Sequence, residues 1–194
     1  MHFVWYQSPN HPELLTPAGD ERSKRYHVDG FWPTAFFDGF YRAPQIDDTD
    51  LFYEVYDNMV GQARSLTTVM EMSLDSAATR LDSSELRVGV HITPTDSVVD
   101  AMGSLMLVAV VFEDSAPFYS MLRGDTSYVP FCARCVIGDT WGVPLKLRLG
   151  TDYDSVLTTP LGAWNRSHIG VAVFVQDTSS LRVLQSVGKL RFAN

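Results

Sequence analysis

The chain has 194 residues, 45% apolar and 20% charged. These ordinary globular proportions exclude disordered, collagen-like and low-complexity classes and leave room for one large or two modest domains. Its 15 basic and 23 acidic side chains give a net charge of −8, which repels phosphate backbones and anionic headgroups. With no Lys/Arg run to offset that charge, nucleic acid is not an expected partner.

Residues 2–7 read as an aromatic strand, closed by Ser8-Pro9-Asn10-His11-Pro12, whose prolines cannot serve an interior strand. A core-like strand opening at residue 2, with no basic or cleavable leader, points to a gene product that extends upstream of Met1; the other reading is a cytosolic protein. Asp20 is the expected N-cap of a brief helix, Glu21 to Tyr26, broken by Asp29-Gly30. Thr34 to Phe37 is a short strand, and Asp38-Gly39 supplies a hairpin turn into Phe40-Tyr41-Arg42. Leu51, Val55, Met59 and Ala63 recur every four residues and predict a helix over 50–64. The carboxylates of Asp47, Asp48 and Asp50 suit the positive end of its dipole, and they lack the glycine and distal glutamate of a calcium loop.

Beyond residue 65 the hydrophobic period falls from 3.6 to 2, which places a domain boundary between 1–64 and 65–194. Met70, Met72 and Leu74 alternate with Glu71 and Ser73, and similar alternation runs over Leu86 to Ile92 and Leu145 to Leu149; Ile169, Val171, Val173 and Val175 form another row, and Leu181, Val183 and Val187 begin a last one. Leu105 to Phe112 is apolar on both faces and far short of the roughly 20 residues a membrane helix needs. With a further strand near Tyr128 to Ile137, about seven strands separated by turns predict an antiparallel β-sandwich.

Tyr26, Val28, Gly30, Pro33, Thr34, Phe36, Asp38 and Gly39 together resemble the cis-proline segment of thioredoxin-like proteins. The first sixty or so residues are similar to the back half of that fold: strand, short helix, cis-proline strand, hairpin strand, closing helix. Leu107 to Asp114, Trp141-Gly142-Val143-Pro144, and Val171 to Asp177 running into Val183 to Ser186 resemble the β-rich part of the bacterial Omp28-like outer membrane proteins. The combined resemblance implies an α+β chain: an incomplete thioredoxin-like α/β part followed by an antiparallel β-sandwich. It also implies that the strand and Cys-x-x-Cys helix of the thioredoxin-like part lie upstream. Without that middle strand, two rows of backbone donors and acceptors stand unpaired, so the first sixty residues alone are expected to be unstable or to pair differently.

Cys132-Ala133-Arg134-Cys135 is a Cys-x-x-Cys flanked by Pro130-Phe131 and Val136-Ile137, which favours an extended or turn conformation over a helix start. A redox pair needs a helix N-terminus to lower the first thiol's pKa, so two ordinary, partly buried thiols are expected. A structural disulfide, a redox pair and a metal site remain the other readings. His2, His11, His27, His91 and His168 include no pair at zinc-ligand spacing, and neither a metal nor another cofactor is expected. No Gly-x-Ser-x-Gly, P-loop or Rossmann glycine pattern marks a catalytic centre, while Asn165-Arg166-Ser167 fits a short glycosylation sequon. In the resembled fold the backbone beside the cis-proline can pair with an extended peptide, which makes Trp32, Pro33 and Thr34 the candidate peptide-binding loop, unless Trp32 simply covers the core. Phe118, Tyr119, Tyr128 and Tyr153 are candidate platform aromatics or core residues.

The sequence thus reads as a non-catalytic binding or structural protein of the bacterial cell envelope. It would act on protein or peptide partners through sheet edges, with oligomeric state open. An export signal upstream would place it in the periplasm or outer membrane; otherwise it is cytoplasmic. The alternative is a fragment of a thioredoxin-like thiol-disulfide oxidoreductase whose active cysteines lie upstream of Met1, and a third class, a carbohydrate- or protein-binding sandwich, shares the fold evidence.

Overall fold

The computed structural model describes residues 11–28, 36–37, 39, 41–43, 49–120 and 123–192. The strand expected at 2–7 and the Trp32-Pro33-Thr34 loop lie outside them. Helix α1 spans Pro17–Arg25. Its N-cap is Thr16, whose side chain accepts from the Gly19 amide at 3.0 Å, so the expected start at Asp20 is corrected by one turn. The physical reason is Thr16-Pro17: a hydroxyl fills one orphan donor, and proline at N1 presets φ where no N–H is needed. Strands β1 (Phe36–Phe37) and β2 (Tyr41–Arg42) form the expected hairpin, with Gly39 at φ 68° in its turn. Helix α2 spans Thr49–Ser65, with Arg64 in its last turn.

Next come β3 (Met70–Leu81) and β4 (Glu85–Pro94), then β5 (Leu105–Glu113), β6 (Ala116–Ser120), β7 (Asp125–Val129), β8 (Cys132–Val136) and β9 (Val143–Pro144). Strands β10 (Tyr153–Pro160), β11 (Ile169–Asp177) and β12 (Val183–Lys189) complete the chain. Three antiparallel strands form one sheet in the order β10-β4-β3; a second runs β12-β11-β5, with both β8 and β9 on the far edge of β5. A separate hairpin pairs β6 with β7. The described residues are therefore α+β, mostly antiparallel strand with two α-helices.

The period-2 rows explain where the core sits. Leu86, Val88, Val90 and Ile92 of β4 meet Leu107, Ala109 and Val111 of β5 and Ile169, Val171, Val173 and Val175 of β11 in one apolar cluster between the two larger sheets. Full burial of each such side chain is worth about 1.5–3 kcal/mol. The other row of β5, Val108 and Val110, clusters with Ala133 and Phe174 on the reverse face. That is why β5 is apolar on both faces.

Two strand expectations are corrected. Leu145 and Leu147 are buried as their alternation requires, but regular pairing stops at Pro144: Leu145 donates to Leu105 at the very start of β5, and the preceding carbonyl, of Ser104, accepts from Thr178 instead. The strand expected over 128–137 is two, β7 and β8, divided at Pro130-Phe131, where Phe131 takes φ 50°. β6 and β10 were not anticipated, since β6 is short and turns Pro117 and Tyr119 outward, and the inward row of β10 mixes Ser155 and Thr159 with Tyr153 and Leu157.

The N-terminal layer docks on the reverse face of the second sheet through a polar node. Gln176 of β11, fully buried, accepts from Arg22 at 3.2 Å and donates to the Tyr26 hydroxyl at 2.7 Å and the Leu181 carbonyl at 2.6 Å. The Arg22 guanidinium lies 4.9 Å from the Trp141 ring centre and 5.7 Å from that of Phe174. Burial lowers the Arg22 pKa, and Tyr26 opposes that shift. Gly39 closes over the same node: a Cβ there would sit 2.2 Å from the Leu181 carbonyl oxygen, so the hairpin turn can approach only as glycine.

Candidate binding cleft

β5 ends in Glu113, a carboxylate closing an otherwise apolar strand and only 2% exposed. A buried carboxylate must be paired or it costs several kcal/mol. Its partner is Arg134 of β8, whose Nε and Nη2 donate to Glu113 Oε2 at 2.8 and 2.6 Å. The β5–β8 register sets this pair. It shifts between Val111 and Phe112, leaving Arg134 as the extra residue of a bulge between Ala133 and Cys135. Arg134 Nη1 reaches the N-terminal layer, donating to the Glu13 carbonyl at 2.7 Å.

Glu113 Oε1 accepts from the Asn165 amide at 2.9 Å, fixing the loop before β11. Asn165 in turn caps a short 3-10 turn, Arg166–His168, by accepting from the Ser167 amide at 3.2 Å. The His168 carbonyl accepts from the Asp114 amide at 2.8 Å. The β5–β6 connection, β8 and this turn thereby enclose a cleft of about 700 Å³ lined by Glu113, Ser115, Pro117, Tyr128, Arg134, Asn165 and His168, together with Ala163. His168 Nδ1 is buried without a hydrogen-bond partner among the described residues. Ser115 holds φ 62°, a left-handed conformation that costs a non-glycine residue about 1–3 kcal/mol.

The sequence singled out parts of this cleft for other reasons and never joined them. Arg134 stood between two cysteines, Asn165 opened a sequon, and Glu113 ended an apolar run. The one available signal was a lone carboxylate at the end of a doubly apolar strand, which demands a cationic partner somewhere else in the chain.

Cys132 and Cys135 lie on β8 and are not joined to each other. Cys132 packs with Leu14, Ala116 and Val129, whereas Cys135 packs against the main core. Burial pushes both thiols up; the Arg134 charge partly offsets this at Cys132, and a hydrogen bond with Thr159 does so at Cys135. Raised thiol pKa values leave less thiolate at neutral pH, the reverse of what thiol-disulfide exchange requires. Among the described residues no three His, Cys, Asp or Glu side chains gather as a metal site, and no helix is long and apolar enough to cross a membrane. Of the candidate platform aromatics, Tyr119 and Tyr128 are 58% and 63% exposed on the outer face of the β6–β7 hairpin, while Phe118 packs beneath it and Tyr153 against the main core.

No protein-family profile matches the sequence, and no curated protein matches it. The fold is similar to that of HBP35 of Porphyromonas gingivalis, with a TM-score of 0.71 at 11% sequence identity over 90% of this chain. The chain spans 57% of the length of that protein. A domain of the outer membrane lipoprotein Omp28 from the same organism aligns over 66% of this chain and 90% of its own, at 14% identity and a TM-score of 0.44. At such identities the HBP35 likeness establishes a shared fold.

Proposed function

We propose that the chain is a non-catalytic binding or structural protein of the bacterial cell envelope, built as a thioredoxin-like part over 1–64 and a β-sandwich over 65–194. The observation that carries the binding reading is the cleft. Its buried carboxylate and guanidinium, Glu113 and Arg134, hold each other at 2.6–2.8 Å, a geometry that shapes and rigidifies a site. The envelope location rests on the Omp28-like resemblance of the strands from Leu107 onward. A second contact region, the Trp32-Pro33-Thr34 loop, would take an extended peptide by sheet-edge pairing.

The experiment is a thiol-dependent insulin reduction assay on the full chain, run with Cys132→Ser and Cys135→Ser alongside. The expected result is no turnover above the dithiothreitol background for any of the three proteins. Turnover that disappears in Cys132→Ser would replace the binding reading with a thiol-disulfide oxidoreductase.

A further inference from the structure

We propose that the Glu113–Arg134 cleft takes a neutral saccharide, stacked on Tyr128 and hydrogen-bonded over the buried ion pair; this deepens the binding reading above and rests on it. The volume of about 700 Å³ falls within the small-molecule range of roughly 300–1,000 Å³.

One wall is aromatic. Pro117 pairs with Tyr128 across the β6–β7 hairpin, and Tyr119 follows two residues along, so all three share its outer face. Pro117 and Tyr128 also line the cleft, which makes that face continuous with the cavity. Rings this exposed, with a polar tip and a flat apolar body, stack on ligands that are themselves apolar on one face and polar at the rim.

The floor is polar, with capacity left over. Arg134 has five N–H donors, of which three are engaged, by Glu113 and Glu13. The Glu113 carboxylate offers about four acceptor positions, of which three are taken. His168 also lines the cleft. A purely apolar ligand would leave the remaining Arg134 and Glu113 positions unmet.

Charge decides between the polar candidates. Glu113 neutralises Arg134 within the cleft, and the chain carries −8, so phosphate- or carboxylate-bearing ligands meet no net attraction and a long-range repulsion. A ligand with many hydroxyls, one apolar face and no charge suits the aromatic wall, the polar floor and the neutralised ion pair, and that is the chemistry of a neutral sugar.

The test is titration of the isotope-labelled full chain with five neutral hexasaccharides (malto-, cello-, xylo-, manno- and chitohexaose), following amide shifts and, in the same tubes, sugar signals for cleavage. At least one sugar is expected to shift resonances of residues 113–118, 126–134 and 163–168. Tyr128→Ala should weaken it about 10-fold and Tyr119→Ala less, whereas Tyr53→Ala on exposed α2 should leave it unchanged. Affinity should hold between roughly 0.05 and 0.5 M NaCl, as an uncharged ligand requires. Failure of all five sugars, or binding indifferent to Tyr128→Ala, overturns the saccharide assignment. Peptides that shift the same resonances when no sugar does would overturn it while leaving the binding role intact. Cleavage of the bound sugar would uphold the assignment and overturn the non-catalytic reading.

Discussion

The two larger sheets and the N-terminal layer are held by different forces. Between the sheets, rows such as Val88, Val90 and Ile92 against Val171, Val173 and Val175 exclude water and need no directional contact. The N-terminal layer instead docks through Arg22, Tyr26 and Gln176, with the backbone of Leu181 and the bare Cα of Gly39 fitted around them. A core of many interchangeable apolar contacts tolerates conservative change. A buried polar node does not, because each truncated partner leaves another unmet. The cleft lies where the two regimes meet, since Arg134 bonds both Glu113 of β5 and the Glu13 carbonyl of the N-terminal layer.

The sharpest way to break this contrast is to remove the ion pair that bridges it. Glu113→Ala leaves a largely buried guanidinium half-paired and is expected to cost about 3–5 kcal/mol in urea denaturation. The amides of Leu14 and Leu15, bonded to the His11 and Pro12 carbonyls, should gain hydrogen exchange in the same variant, because the anchor on the Glu13 carbonyl loosens with Arg134. A Glu113→Leu, Arg134→Met double variant should recover most of the loss, since it replaces the pair with packed apolar surface. Equal losses in the single and double variants would show that the carboxylate acts mainly through the Asn165 loop.

Next in size is the node itself. Gln176→Ala removes the acceptor for Arg22 and the donor to Tyr26 and Leu181, and is expected to cost about 1–3 kcal/mol. Hydrogen exchange separates this from a core defect: amides of 18–28 should lose protection while those of 107–111 and 169–175 keep it. Uniform loss across both sets would mean that the two regions unfold as one cooperative unit.

These variants also show what was legible in the chain. The rows of β4 and β11 were readable because period 2 sustained along a strand leaves few alternatives, and β5 because a short, doubly apolar run bounded by turns fits a buried strand. The cleft was not. Its key contact joins residues twenty-one apart in sequence through a bulge at Arg134 that shifts register by one, and no local pattern announces a bulge. The split of 128–137 was legible in retrospect, since Pro130 cannot donate into a ladder and Phe131 follows it at positive φ. For α1, Thr16-Pro17 was the stronger start signal than Asp20.

A smaller effect tests the cysteines at the border of the two regimes. Cys132 fills space among Leu14, Ala116 and Val129, so Cys132→Ala should cost about 1 kcal/mol, on the scale of a single buried methyl deletion. With burial raising both thiols, neither cysteine should react quickly with Ellman's reagent at neutral pH until denaturant is added. Prompt reaction of Cys132 in the native chain would show that the N-terminal layer opens far more readily than its polar node suggests.

The smallest effect belongs to the outer face of the first sheet, where contacts are solvated and neither regime applies. His91 of β4 and Asp154 of β10 are register partners, with Nδ1 2.8 Å from the carboxylate and Thr93 Oγ1 3.1 Å from Nε2. The hydrogen bond to Asp154 raises the His91 pKa, with burial opposing and the charges of Asp154 and Asp152 assisting. A raised folded-state value means the imidazolium is favoured in the fold. The stabilisation is therefore complete below the unfolded value near 6.5 and disappears as pH rises through the folded value. Asp154→Asn should bring the His91 titration, followed by its ring proton, back toward about 6.5. The thermal midpoint of the variant should fall below that of the parent at pH 5.5 and converge with it at pH 9. A gap that persists at pH 9 would locate the contribution of Asp154 in β4–β10 strand pairing rather than in its bond to a protonated histidine.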